Sequence, residues 1–99
     1  MAYSNLRLGR FSKTGMAYHI TTVTLQREPY FASLGNERKV VRELMALQAE
    51  GRAQTLCYVL MPDHLHWLIV LQQGTLAQAV HLLKGRSARA IGHAIWQPN

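Results

Sequence analysis

The second half of the chain contains two closely spaced runs of apolar residues with the composition of β-strands. Residues 54–61 and 64–71 are rich in β-branched, aromatic and other large apolar side chains. Pro62 and Asp63 separate the two runs and suit a tight turn, so we expect an antiparallel pair. A third strand of similar composition is predicted at 17–25. Its alternation places His19, Thr21, Val23 and Leu25 on one face and Ile20, Thr22 and Thr24 on the other.

Two further segments space their apolar residues as an α-helix does. The first is 36–50, with Asn36 as the expected N-cap and Gly51 in the position that commonly follows a helix. The second begins after Thr75, another expected N-cap, and continues toward the C-terminus. Glycine is a poor helix former, so we expect Gly85 to kink or interrupt this second helix.

The predicted order is strand, helix, strand, strand, helix, which matches the first five elements of a ferredoxin-like β-α-β-β-α-β sandwich. We therefore predict an α+β fold: a ferredoxin-like β-α-β-β-α sandwich with two helices on one face of an antiparallel sheet and the last strand missing. The other sheet face would be open to a ligand or nucleic acid. Residues 1–99 are expected to form one domain, with residues 1–15 as a basic N-terminal arm.

Two histidines near the start of the third predicted strand are the strongest candidates for chemistry. His64 and His66 leave the same face of a strand, whereas Leu65 and Trp67 leave the other. This spacing can offer two imidazole nitrogens to one metal ion. The same pattern also describes half-exposed core histidines, or a polar stripe on a solvent-facing sheet.

Basic residues outnumber acidic residues by eleven to five, which gives a formal net charge of +6. They are concentrated where acids are absent, at 1–13 and at 81–93, whereas 27–50 mixes both signs. Mixed charge is typical of a solvated helix face, but acid-free basic segments suit phosphate contacts. Nucleic acid is therefore the partner we expect first, although a basic protein without such a partner can have the same composition.

The sequence gives no sign of a membrane or secretory segment. No apolar run reaches the roughly 20 residues that cross a bilayer, and the N-terminus lacks the charged-then-apolar pattern of a secretion signal. We therefore expect a cytoplasmic protein with no membrane partner. Cys57 is the one cysteine, so no internal disulfide can form, and its apolar neighbours predict a buried side chain.

Several motifs, in order along nearly the whole chain, resemble those of one family. The central one is MPDHLHW at 61–67, which looks like the HUH motif of single-tyrosine transposases, where U is a large apolar residue. The match to the REP-associated tyrosine transposases is closer still. The segments that resemble their other motifs are GMAYHITTVT at 15–24, REPYF at 27–31, LKGRSARAI at 83–91 and WQP at 96–98.

The resemblance implies an activity, a cofactor and a set of site residues. Such proteins cleave and rejoin single-stranded DNA near hairpins, using a divalent metal, Mg²⁺ or Mn²⁺, and a tyrosine nucleophile. By this resemblance His64 and His66 are metal ligands. The expected DNA contacts, each of which could instead belong to a solvated surface, are Arg7, Arg10, Lys84, Arg86, Ser87 and Arg89.

The nucleophilic tyrosine of the family is expected beyond Asn99, on a later helix. The four tyrosines of this chain precede the histidines: Tyr3, Tyr18, Tyr30 and Tyr58. Tyr18 and Tyr58 suit strand packing, and Tyr30 suits a hydrophobic anchor before the first helix. We therefore expect a truncated transposase, monomeric or homodimeric, that binds DNA without strand transfer. Whether this chain is itself an enzyme stays open at this point.

Two other classes of function fit the same residues. One is a non-catalytic nucleic-acid-binding module, with RNA as one candidate ligand, in which Tyr18 or His19 stacks on bases across the open sheet face. The other is a small metal-binding or interaction protein that dimerises through an apolar open face. If neutralising the basic termini abolishes binding, a DNA partner is favoured over this interaction protein.

Overall fold

The computed structural model describes residues 12–98, which form three β-strands and two α-helices. Two single-turn 3₁₀ helices, Leu25–Arg27 and Tyr30–Ala32, lie between the first strand and the first α-helix. The order of elements confirms the predicted β-α-β-β-α arrangement. Most of the predicted N-terminal arm, including Arg7 and Arg10, lies outside the described residues. The elements are β1 (Ala17–Val23), α1 (Leu34–Ala49), β2 (Ala53–Met61), β3 (His64–Leu71) and α2 (Leu76–Ile91).

Strand β3 is the central strand of an antiparallel sheet ordered β1-β3-β2. At its middle, His66 is paired with Thr21 on β1 and with Val59 on β2. Beyond the end of β1, Thr24 forms a single antiparallel bridge with Trp96. The chain therefore returns after α2 to the outer edge of β1. Within residues 12–98 the sheet has three strands.

One face of the sheet carries the hydrophobic core, and both helices cover it. The alternation in β3 decides which face this is, because every second residue of the strand is fully buried. Burial of these apolar side chains is the main favourable contribution to folding. The buried cluster comprises Leu65, Trp67, Ile69 and Leu71 from β3, Val40, Leu44 and Leu47 from α1, and Leu76, Ala79, Val80 and Leu83 from α2.

Helix α1 begins two residues earlier than predicted because Ser33, not Asn36, is its N-cap. The Ser33 hydroxyl accepts a hydrogen bond from the Asn36 backbone N–H at 3.4 Å. The Asn36 side chain instead donates to the backbone oxygen of Tyr30 at 2.9 Å. The predicted C-terminal signal is confirmed. Gly51 has a φ of +74° and donates its N–H to the carbonyl of Gln48.

Helix α2 runs without interruption through Gly85, so the predicted interruption is wrong. A glycine costs a helix interior about 1 kcal/mol relative to alanine, and burial of Val80 and Leu83 in the core helps to offset this cost. Thr75 is the N-cap as predicted, in a reciprocal capping box with Gln78. Gly92, with a φ of +111°, ends the helix. At 16 residues each, α1 and α2 lack the length and apolarity needed to cross a bilayer.

Cys57 is exposed, which contradicts the predicted buried side chain. The register of β2 shifts between Thr55 and Cys57, as it does at a β-bulge. After the shift Cys57 lies opposite Leu68, on the sheet face that the helices do not cover. An apolar neighbourhood in sequence therefore did not imply burial, because β2 is an edge strand with one open face.

Candidate metal centre and nucleic-acid interface

His64 and His66 lie on the open face of the sheet, as their spacing predicted. Both are half-buried, whereas their neighbours Leu65 and Trp67 are fully buried on the helix-covered face. The two imidazole centroids are 4.8 Å apart and the ring planes are nearly perpendicular, at 85°. The strand therefore presents two imidazoles side by side to the same region of solvent.

His64 is held by the acidic residue directly before it. Asp63 Oδ1 lies 2.7 Å from His64 Nδ1, and the other carboxylate oxygen accepts a hydrogen bond from Arg27 Nε at 2.9 Å. The hydrogen bond with His64, followed by the charge of Arg27, lowers the pKa of Asp63 below its ordinary value. The carboxylate is thus charged at neutral pH and fixes the orientation of the His64 ring.

His66 is held from the neighbouring strand β1. Its Nδ1 lies 3.2 Å from His19 Nε2 and 3.2 Å from Thr21 Oγ1. Partial burial, together with the nearby His64 and His19 rings, lowers the pKa of His66. The neutral ring that results is the form that binds a metal ion.

The arrangement leaves the same atom of each ring unengaged by these contacts. With both Nδ1 atoms held, Nε2 of His64 and of His66 can face a metal ion. Two imidazoles leave most coordination positions for phosphate oxygens and water, so this donor set fits an open site for an ion such as Mn²⁺. Within residues 12–98, no group of three or more His, Cys, Asp or Glu side chains has metal-binding geometry.

The basic residues predicted to contact DNA on α2 do not share a face with the histidines. Helix α2 packs on the opposite face of the sheet. Arg86 forms an ion pair with Glu50, the C-cap residue of α1, with nitrogen–oxygen distances of 2.7 and 3.1 Å. Half-buried Lys84 donates from Nζ to the backbone oxygen of Gln97 at 3.1 Å, and burial lowers its pKa. Arg89 is exposed.

Ser87 is fully buried, so its predicted role as a DNA contact is not supported. Its hydroxyl donates to the Leu83 carbonyl at 2.6 Å and accepts the indole N–H of Trp96 at 2.9 Å. Ser87 therefore attaches the segment after α2 to the helix. The sequence showed a serine within a basic run, and only the position of Trp96 shows that it is a structural residue.

The pairing of the strands decides where Tyr18 and Tyr58 lie. Tyr18 is paired with Ile69 and Tyr58 with Trp67, which places both on the helix-covered side of the sheet. Tyr18 packs against the core, which confirms its predicted role in strand packing, whereas Tyr58 is 39% exposed and does not pack against that cluster. Stacking of bases on Tyr18 across the open face is not supported. The ring centroid of Tyr30 lies 5.5 Å from that of His93.

Three residues contact His64 or His66 in ways that were not predicted from the sequence. Asp63 stood inside the MPDHLHW motif, next to the histidine that it holds. His19 and Thr21 were placed on one face of a strand, but which face of β3 they would meet depended on an unknown register. Their contact with His66 spans 47 and 45 residues of sequence, respectively.

The family described as "Transposase IS200 like" matches residues 12–97, and the chain belongs to this family. Among solved structures, the chain is similar to a REP-associated tyrosine transposase bound to a REP hairpin, with a TM-score of 0.76 at 18% sequence identity. The match covers 100% of this chain and 59% of that chain. At this identity it shows a shared fold, in agreement with the predicted α+β architecture. No curated protein matches the sequence.

Proposed function

We propose that this chain is the DNA-binding and metal-binding part of a single-tyrosine transposase that acts on single-stranded or hairpin DNA. The observation that carries the proposal is the pair of imidazoles on the open sheet face, each held at Nδ1 by a neighbouring side chain. Membership of the transposase family and the net charge of +6 support a DNA partner.

In this proposal His64 and His66 hold a divalent cation, Mn²⁺ or Mg²⁺. When bound, the cation supplies Lewis-acid polarisation of a scissile phosphate. The chain's own contribution is positioning. Asp63 and Arg27 fix the ring of His64, and the sheet holds both imidazoles on the same open face, where a phosphodiester can approach.

A tyrosine nucleophile is not assigned within residues 1–99, so strand transfer is not proposed for this chain alone. Arg89 is the exposed α2 residue we propose as a phosphate contact, and Arg7 and Arg10 retain the same proposed role. Arg86 can contribute only if its ion pair with Glu50 opens or extends to a phosphate. DNA that reaches both α2 and the histidines has to pass around an edge of the sheet.

The test of DNA binding uses fluorescence anisotropy with a labelled DNA hairpin that carries a single-stranded tail. We expect tighter binding to this probe than to a blunt duplex or to an RNA hairpin of the same sequence. Arg89→Ala should lower the salt slope of binding by about 1, because one phosphate contact is lost. Arg42→Ala, which removes an exposed arginine of α1, is the matched control and should leave the slope unchanged.

The absence of strand transfer is tested by denaturing electrophoresis of the same mixture with Mn²⁺. A covalent protein–DNA adduct would show that residues 1–99 contain a nucleophile and would contradict this part of the proposal. Equal salt slopes for wild type and Arg89→Ala would contradict the proposed phosphate contact.

One observation favours a second candidate, a nucleic-acid-binding module that does not use metal. A hollow of about 280 Å³ lies beside His66 on the open face, and its apolar lining includes Val59 and Leu68. His19 also borders this hollow and could stack on a base. Preference for RNA, with binding unaffected by chelators and by His64→Ala, would favour this module over the transposase proposal.

A further inference from the structure

His19 lies outside the HUH-like segment yet contacts one of its histidines directly. It belongs to β1, where its backbone is paired with Leu68, and its ring leaves the open face of the sheet. Its Nε2 is 3.2 Å from Nδ1 of His66, and the two ring centroids are 5.4 Å apart. The antiparallel register of β1 and β3 therefore brings a third histidine to the site.

We propose that His19 is a positioning residue that fixes His66 in the tautomer with its proton on Nδ1 and a bare, metal-binding Nε2. The proposal rests on the proposed function, in which His66 is a metal ligand. His19 acts through His66 and does not itself coordinate the metal.

The direction of this hydrogen bond decides whether His66 can bind a metal. Only one proton can lie between the two ring nitrogens. If it belongs to His66 Nδ1, then Nε2 of the neutral ring has a free lone pair. If it belongs to His19 Nε2, the neutral His66 ring carries its own proton on Nε2 and cannot use that atom as a ligand.

The position of Thr21 favours the first arrangement. His66 Nδ1 is 3.2 Å from both His19 Nε2 and Thr21 Oγ1. A ring nitrogen that accepts has one lone pair, which cannot serve two donors well, whereas one N–H can be shared between two acceptors. Equal distances to two neighbours therefore suit His66 as the donor. The result repeats the arrangement at His64, whose Nδ1 faces the Asp63 carboxylate at 2.7 Å.

The test measures tautomer and metal affinity separately, on the full chain and without DNA. Long-range ¹H–¹⁵N NMR spectra of the metal-free protein report which nitrogen of His66 carries the proton, and electron paramagnetic resonance of free Mn²⁺ reports affinity. We expect wild type to show the Nδ1–H form of His66. We expect His19→Ala to show a mixture of tautomers and to bind Mn²⁺ about 10-fold more weakly, as typical for removal of a residue that orients a ligand.

Three further variants sharpen the result. His19→Gln retains a side-chain acceptor and should recover most of the wild-type affinity and tautomer. Thr21→Val removes the second acceptor, leaves His19 in place and should have a smaller effect than His19→Ala. His81→Ala removes an exposed histidine of α2 and should change neither readout. If His19→Ala fails to fold, His19→Gln and Thr21→Val still decide the proposal through the tautomer of His66.

Three results would overturn the proposal: an Nε2–H form of His66 in wild type, unchanged Mn²⁺ affinity in His19→Ala, or a loss in His19→Ala as complete as that in His64→Ala. The last would make His19 a ligand. Failure of the proposed function can be told apart from failure of this proposal. A wild-type protein that binds no Mn²⁺ contradicts the metal site, whereas the NMR spectra still report whether His19 sets the tautomer of His66.

Discussion

Asp63 and His64 are adjacent in sequence, and the turn into β3 brings the Asp63 carboxylate to 2.7 Å from His64 Nδ1. The second carboxylate oxygen accepts from Arg27, in a segment where Gln26 and Arg27 both have positive φ values of 54° and 58°. A left-handed backbone is uncommon for residues other than glycine. Two such residues in succession direct Arg27 to Asp63, and through Asp63 they order a proposed metal ligand.

Replacement of Asp63 should therefore weaken metal binding although Asp63 is not a ligand. We expect Asp63→Ala to lower Mn²⁺ affinity by about 10- to 100-fold, because the His64 ring loses the partner that orients it. Isothermal titration calorimetry measures this directly. Glu43→Ala on α1 removes the same charge away from the site and is the control. Equal affinities for the two variants would show that Asp63 has no specific role.

Loss of the buried Ser87 hydroxyl should destabilise the protein. In Ser87→Ala the Trp96 indole N–H stays buried without its acceptor, which costs about 1–3 kcal/mol in the free energy of unfolding. Urea denaturation measures this change. Trp96→Phe removes this unpaired donor. The double variant should therefore lose less free energy of unfolding than the sum of the losses in the two single variants. Strict additivity would mean that the two side chains do not interact.

Two threonines near the end of β1 should respond oppositely to the same substitution. The Thr22 hydroxyl is buried without a hydrogen-bond partner among residues 12–98, so Thr22→Val should raise the free energy of unfolding by about 1 kcal/mol. The Thr24 hydroxyl contacts the backbone oxygens of Glu28 and Asp63 at 2.8 and 3.1 Å. Thr24→Val should therefore lower stability by about 1 kcal/mol. Thermal denaturation measures both changes. Tm shifts of the same sign for Thr22→Val and Thr24→Val would contradict this account.

The local elements and the histidine face could be predicted from sequence because both depend on short-range periodicity. Strand alternation alone places His64 and His66 on one side of β3, and the bounds 64–71 agree with the structure. The N-cap of α1 was mistaken because Ser33 and Asn36 are both good capping residues, and neighbouring packing selects between them. A periodic pattern carries no information on that choice.

Contacts between distant segments could not be predicted from the sequence. The partner of His66 on β1 depends on a strand register that places Thr21, and not another residue, opposite it. Ser87 is buried because Trp96 returns across α2, and Arg86 is paired because the end of α1 brings Glu50 to it. Ser87 and Arg86 were both predicted as DNA contacts, because their partners within the protein depend on the tertiary fold.

The Glu50–Arg86 pair should give stability a specific dependence on pH. The hydrogen bond from Arg86 lowers the pKa of Glu50 below its ordinary value of 4.5. A carboxylate whose pKa is lower in the folded state stabilises that state fully above the ordinary pKa, and the contribution disappears as pH falls through the lowered value. The Tm difference between wild type and Glu50→Gln should therefore shrink as the pH falls below 4.5. A Tm difference that stays constant across this pH range would contradict a stabilising role for the Glu50–Arg86 ion pair.

The central claim is that His64 and His66 hold a metal which brings DNA to the open sheet face. The most direct test compares anisotropy of the tailed DNA hairpin in Mn²⁺ and in EDTA, for wild type and for the double variant His64→Ala, His66→Ala. We expect Mn²⁺ to strengthen wild-type binding by about 10-fold or more, since the metal and the phosphate share one site. The double variant should bind alike in both solutions and retain the salt-dependent binding of its basic residues. An equal effect of Mn²⁺ on both proteins, or none on wild type, would contradict the claim.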